Sequence, residues 1–582
     1  MTWDLSAIYE SFQSPAFAAD LKSLKTRQDE IGKTLAEGGA PLALIEKATR
    51  QFTALTETFS KLGTYAYLTL AADAVNEEAF HYLDQLMAMQ VDMQRLLSDF
   101  SRYLDTVHDL DAVIAKSPLL TEHGFILREW KKNAAHRMDK AIESWILRMS
   151  LTGGETLSQL REKLAATLTA NFRGEELPLS SVRAKAYDPD PAVRKDAYEA
   201  ELAAYPKVEL AIAACLNGIK GEARIQAEAR HFDSVLDWTL HDSRMDKQTL
   251  DALLTAVKEA LPDFRRYLRA KGRLLGHEGG IPFWDLMAPV GKGLRTYTAE
   301  EARAMLAEKL GSFSKAMGAF IHEAFEGRWI DLYPRPGKQD GAFCSSVHML
   351  DISRVLSNFA GSFADINTLA HELGHAWHNR CMAGLPILLT DHPMPLAETA
   401  SIFNETLLSH AVLKTASPEE AFTIIEAELM EATQTIVDIY GRFLFETEVI
   451  ETRAGHALSV SELKDAMLRA QEASYGDGLA KDARHPYMWA CKGHYYSPTL
   501  HFYNFPYAFG LLFSKGVFAQ YLEKGEAYVP TYNKLLRSCG NGTVYDVALS
   551  VGIDVHSVDF WRSSLNILRE SVNRFEKLCD KQ

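Results

Sequence analysis

One short segment holds side chains whose types and spacing suit metal chemistry: Asp365-Ile-Asn-Thr-Leu-Ala-His371-Glu372-Leu-Gly-His375-Ala-Trp-His378. Ile366, Leu369, Ala370, Leu373 and Trp377 supply an apolar face and Asp365 an N-cap, so the segment predicts a helix. On that helix His371 and His375 stand one above the other, about 6 Å apart along the axis, where two imidazoles can converge on one ion. Zinc takes nitrogen at roughly 2.0–2.1 Å, and a hydrolytic site keeps one position for water. Glu372, next to the first histidine, is then placed to accept a proton from zinc-bound water as it attacks a carbonyl.

A third ligand is expected downstream. Pro395 to Glu405 reads as a second helix with Glu398 and Glu405 at i and i+7 on one face. Glu398 lies 27 residues after His371, enough for the first helix to end near Gly384-Leu385-Pro386 and for the chain to turn back. Two histidines and a carboxylate, here His371, His375 and Glu398, are a common ligand set for hydrolytic zinc. Glu405 reads either as a partner for the far nitrogen of a ligand histidine or as an ordinary surface glutamate. His378 shares the face but lies about 10 Å along the axis from His371, too far for one ion, and is assigned to packing or a substrate cleft.

The elements that must position these groups are mostly helical. Residues 14–150 show successive amphipathic helices, for instance around Phe80, Leu83, Met87 and Val91, and the helical pattern continues from Leu157 to about Gly276, with Asp246–Leu275 as one long helix. Between Gly276 and Ser362 turn residues and short β-capable runs predict strands near 329–332, 342–349 and 354–359. The 354–359 stretch could offer an edge to an extended peptide or be merely structural. Helices then return to the end of the chain.

Composition narrows the class. With 582 residues and 47% hydrophobic content the chain can bury a large core, and disorder is excluded. Sixty-two Lys+Arg against 77 Asp+Glu leave a net charge of −15, which argues against a nucleic-acid partner. The six cysteines show no C-x-x-C spacing, no basic leader precedes an apolar run, and no apolar stretch reaches the roughly 18 residues of a membrane helix. A soluble, cytoplasmic protein is the expectation.

HELGHAWH followed by LAETASIFNE resembles the thimet oligopeptidase and oligoendopeptidase F family of zinc metallopeptidases, most closely the oligoendopeptidase F branch. Trp3-Asp4-Leu5, Phe283-Trp-Asp-Leu286 and Lys338–Cys344 carry the similarity along nearly the whole chain. The resemblance implies a mainly α, multi-helical, two-lobed ellipsoid around a deep substrate channel, with a small β-sheet next to the zinc helix. It implies an N-terminal helical region at 1–200 and a catalytic region at 201–582, forming one continuous body. It implies one Zn2+ on His371, His375 and Glu398, Glu372 as general base, and endopeptidase cleavage of short peptides. The family places oxyanion donors near the C-terminus; His494 or His501, with Tyr503 and Tyr507 and with Tyr496 behind them, are the counterparts, against aromatic packing as the plainer reading. A carboxypeptidase or dipeptidyl carboxypeptidase, and a non-catalytic zinc-containing peptide-binding protein, stay open as alternatives. Oligomeric state is undetermined by the sequence.

Overall fold

The computed structural model describes residues 1–291 and 295–580. Helices dominate, and among the described residues only five short strands occur: β1 (Thr169–Phe172), β2 (Glu175–Pro178), β3 (Ile330–Asp331), β4 (Phe343–Val347) and β5 (Ile352–Leu356). The mainly α class with a small sheet beside the His371 helix therefore holds. Among the described residues no single helix is long and apolar enough to cross a membrane.

The chain divides into two compact units, each assembled from three separate stretches. The first takes Met1–Arg137, Arg295–Val412 and Gln520–Ile553; the second takes Met138–Leu294, Leu413–Ala519 and Asp554–Gln582. In the first unit Ser14 caps the helix Pro15–Glu37, whose proline sits where a missing N–H costs nothing. This helix packs with Pro41–Ala72 and Glu77–Thr106 around Phe17, Phe52 and Phe100, and the same core reaches Val347 and Leu356 of the sheet. The helix Glu77–Thr106 buries Ala79, Leu86, Leu96, Phe100 and Leu104. Phe80, Met87 and Val91, whose spacing announces the helix, are instead 65–67% exposed. Periodicity identifies a helix but does not say which of two apolar stripes meets the core.

In the second unit the long helix expected over Asp246–Leu275 is Lys247–Leu274 with Asp246 as its N-cap, and Tyr267 meets Phe575 of the helix Val558–Cys579 edge-on at 5.2 Å. The continuous helical reading after Leu157 needs correction, because the helix Gly154–Thr167 gives way to the β1–β2 hairpin. Its two-residue turn holds Arg173 at φ 53° and Gly174 at φ 90°. Both central residues in the left-handed region match the twist of a tight hairpin. Arg-Gly is a weak sequence signal for it.

The three-stranded sheet has the order β3-β5-β4, parallel between β3 and β5 and antiparallel between β5 and β4. Arg354, Val355 and Leu356 thus lie on the central strand, which overturns the peptide-edge reading of 354–359; β4 is the edge. A buried cation closes the sheet's far side. The Lys338 ammonium donates to the carbonyls of Asp331, Tyr333 and Ser357 at 3.0, 2.9 and 2.5 Å and pairs with the Asp331 carboxylate at 2.8 Å. Arg335 is the second partner of that carboxylate. Lys338→Met should therefore destabilise the first unit by about 3 kcal/mol, because a buried charge loses a partner and three carbonyls lose a donor. Denaturant unfolding checks this, and an unchanged midpoint would show that the cation contributes nothing.

Candidate metal centre

The helix Phe363–Cys381 carries the histidines, and its start differs from expectation. Ser362 is the N-cap, and Asp365 is the third helical residue of a capping box: the Ser362 hydroxyl accepts from Asp365 N at 3.1 Å, while the Asp365 carboxylate accepts from Ser362 N and Ala360 N, each at 2.9 Å. A carboxylate one turn inside the helix satisfies two free N–H groups, which a cap at Asp365 could not do.

The following segment is also broken where one helix was expected. A short turn, Met394–Ala397, is followed by the helix Thr399–Leu413, with Glu398 at the junction. Glu398 and Glu405 therefore do not share one continuous helix face. The break lets the Glu398 side chain turn toward the histidines while its carbonyl accepts from Ile402 N at 3.2 Å.

The ligand atoms converge. His371 Nε2 and His375 Nε2 are 3.2 Å apart, His371 Nε2 and Glu398 Oε2 3.3 Å, and His375 Nε2 and Glu398 Oε2 3.4 Å. An ion bound tetrahedrally at roughly 2.0–2.1 Å needs ligand atoms about 3.3 Å from one another, so these three atoms form one face of such a tetrahedron. Among the described residues this is the one group of three metal-capable side chains. The three side chains are about a quarter exposed, so the face opens on solvent.

The surroundings orient the triad. His371 Nδ1 hydrogen-bonds the Glu405 carboxylate, whose other oxygen accepts from Asn367 Nδ2 at 2.9 Å. Ser401 Oγ donates to Glu398 Oε2 at 2.6 Å. Burial disfavours charge on His371, yet bonds to Glu398 and Glu405 push its pKa up to about 11. Burial likewise opposes charge on Glu398, and the two histidines hold its carboxyl far below the usual range. Glu372 is 6% exposed, and burial lifts its pKa above that of an ordinary carboxylate. His378 faces elsewhere: it is buried, stacks on His392 at 4.6 Å and lies with Nε2 3.1 Å from the Leu536 carbonyl, a packing role.

Asn367, Ser401, Asn404 and Gly374 escaped the sequence reading. Asn404 Nδ2 donates to the Ala370 carbonyl at 3.2 Å, tying the two helices together. At Gly374 an added Cβ would lie 2.5 Å from the Ala400 carbonyl oxygen and 2.6 Å from Ser401 Cα. A glycine inside a helix costs about 1 kcal/mol against alanine and usually has a packing reason, so this signal was available in the sequence.

The five aromatic and histidine candidates near the C-terminus belong to the second unit. The Tyr496 hydroxyl is buried and donates to the Trp489 carbonyl at 3.0 Å, which commits its proton. Tyr503 and Tyr507 share a hydroxyl–hydroxyl bond at 2.7 Å. His494 and His501 each bury an Nε2 that has no hydrogen-bond partner. Burial, aided by Arg442, Lys492 and Lys220, pushes the His494 pKa down to about 3, and burial with Lys220 holds His501 well below its ordinary value. Both rings are neutral.

A helix-borne histidine pair closed by a carboxylate, with a buried glutamate between them in sequence, makes a group that could hold a metal ion. Residues 184–567 match the model of Peptidase family M3, and the chain belongs to that family of peptidases. It is 24% identical to the Group B oligopeptidase PepB of Streptococcus agalactiae over 81% of this chain and 79% of that one. Its fold is similar to that of a Chlamydophila abortus crystal structure, with a TM-score of 0.86 at 22% identity over 99% and 98% of the two chains. It is also similar to oligoendopeptidase-F from Enterococcus faecium, with a TM-score of 0.70 at 18% identity over 97% and 99%.

Gly374→Ala should force the two helices apart at the site. We expect a cost of about 1–3 kcal/mol together with loss of stoichiometric metal on purification. Unfolding and elemental analysis check this; full metal content would show that the close approach is not required.

Proposed function

We propose that the protein is a zinc-dependent endopeptidase that hydrolyses internal bonds of short peptides in the cytoplasm, with its catalytic region in residues 201–582. The observation that carries this reading is the triangle of 3.2, 3.3 and 3.4 Å formed by His371, His375 and Glu398. Two neutral-capable imidazoles and a carboxylate fit one zinc ion, and the buried Glu372 beside them has no use in a purely structural centre. When bound, the ion supplies a Lewis acid that polarises a carbonyl and makes water more acidic.

The chain's own residues do the rest. Glu405 holds His371 by Nδ1, so that Nε2 faces the ion. A Glu372 carboxylate oxygen accepts the proton of the attacking water and passes it to the leaving nitrogen; its raised pKa suits both halves of that task. The edge strand β4 offers backbone groups to an extended peptide, giving affinity with little side-chain preference. His494 or His501, with Tyr503 and Tyr507, are the donors for charge that develops on the carbonyl oxygen.

Glu372→Gln should keep the metal and lower turnover of a quenched peptide by about 10²–10⁴-fold. Undiminished turnover would remove Glu372 from the mechanism. Mass-spectrometric product mapping should show internal cleavage that survives amidation of the peptide C-terminus and stops with a chelator. Cleavage abolished by amidation would favour the carboxypeptidase reading, and metal without any cleavage the binding protein.

A further inference from the structure

A small cavity inside the second unit has no part in the chemistry above. Its volume is about 10 Å³, and its wall is made by residues between Asp438 and Tyr495, all of that unit. Such a space admits one water-sized occupant and excludes a phosphate or a carboxylate. Asp438 closes the π-helical turn Gln434–Asp438, a widened turn of the kind found at functional sites.

Most polar side chains of the wall are already engaged. The Asp438 carboxylate accepts from Arg442 Nε at 2.8 Å through one oxygen and from the Tyr475 hydroxyl at 3.3 Å through the other. Gln471 donates to the His485 carbonyl at 2.8 Å and accepts from its N–H at 3.1 Å, and Ser474 Oγ donates to the Ala470 carbonyl at 3.0 Å. Two groups are left, and both have protons to give. Tyr495 is completely buried, and its hydroxyl has no hydrogen-bond partner. The Lys492 ammonium makes no hydrogen bond and no ion pair among the described residues. Burial disfavours its charge, and the Asp438 carboxylate favours it.

The charges around the cavity do not cancel. Arg442 neutralises Asp438, Lys220 pairs with Glu446 at 2.6 Å, and Arg183 pairs with Glu201 at 3.0 Å. His494 is neutral, held so by burial and by Arg442, Lys492 and Lys220. The charge of Lys492 is therefore left without a counter-ion, and an unpaired charge away from water is costly. A water molecule could accept from both donors but would leave that charge standing. An anion satisfies the donors and the charge together. The single carboxylate in the wall, Asp438, is already committed to Arg442, and the size of the space restricts the anion to a monatomic one.

We propose that this cavity is a halide site, in which Lys492 and Tyr495, with Arg442 in the same wall, hold one chloride ion as a structural ligand of the second unit. The proposal is independent of the metal centre, whose residues all belong to the first unit.

The test uses the full metal-loaded protein in chloride against gluconate at equal ionic strength, so that screening is constant. A ligand of the folded state alone stabilises by mass action, and chloride should raise the thermal midpoint of the wild type by about 2 °C or more. Tyr495→Phe should reduce that shift and Lys492→Met should abolish it. In gluconate Lys492→Met should melt no lower than the wild type, because it removes an unpaired charge. Chloride acting at the metal centre would give the same shift in all three proteins. Wild-type crystals in bromide should show an anomalous peak between Lys492 Nζ and the Tyr495 hydroxyl. If Lys492→Met does not fold, Lys492→Gln takes its place. An equal shift in the wild type and the Lys492 variant, or a cavity without bromide, would overturn the proposal. A bromide peak without a chloride-dependent shift would overturn it too, as binding at crystal concentration only.

Discussion

The centre depends on how closely two helices approach at Gly374. The peptide of Ala400 and Ser401 fills the place where any other residue would carry a Cβ, at 2.5–2.6 Å. Helix axes this close bring Glu398 and Glu405 to the two ring nitrogens of His371, and let Asn404 bond the Ala370 carbonyl. A spacing wider by the radius of one methyl group would open the 3.2–3.4 Å triangle beyond what one ion can close. The glycine's unfavourable helix propensity is thus offset by a geometry that no side chain permits.

The second constraint is charge. Glu372, Glu398 and Glu405 all bear on His371 and its neighbour, and against the effect of burial the bonds to Glu398 and Glu405 push the His371 pKa up to about 11. The direction of that shift reflects the carboxylates around the ring. Burial works against the protonated ring, yet the carboxylates prevail, so a positive charge is held where the two histidines and Glu398 converge. A divalent cation held by His371, His375 and Glu398 would need Nε2 of each histidine free of its proton, so its binding would be coupled to proton release.

The legible part of this molecule is the local part. The spacing of His371, Glu372 and His375 and the apolar face beside them identified a helix, and Glu398 was within reach because the 27 residues from His371 leave room for that helix to end and the chain to turn back. The contacts that orient these groups cross longer stretches: 34 residues from His371 to Glu405, 38 from Asn367 to Glu405. The spacing of Glu398 and Glu405 offers Glu405 as a partner for a ligand histidine without deciding it against a surface position, and it leaves Asn367 unread. Asp365 was misplaced by one turn because serine and aspartate both cap helices, and only the close contact of Ser362 with Asp365 N decides between them. The stripe at Phe80, Met87 and Val91 gave the right element and the wrong face. The 354–356 stretch gave a strand but not its central place, which β3, only two residues long, creates.

Two histidines show how one ring can serve opposite ends by the charge of its neighbour. At His371 a carboxylate faces Nδ1, so a proton stays there and Nε2 is the nitrogen that would give up its proton to become a metal ligand. At His501 an ammonium faces Nδ1, so the lone pair stays there and the proton goes to Nε2, which is buried without a partner. The imidazoles are chemically identical, and although His371 is about a quarter exposed and His501 is buried, exposure does not choose the tautomer. What separates them is the sign of a partner far away in sequence: Glu405 for one, and Lys220, 281 residues before its histidine, for the other. In each case the partner is itself held, Glu405 by Asn367 and Lys220 by Glu446, since an unanchored charge would turn to water and the preference between tautomers would vanish.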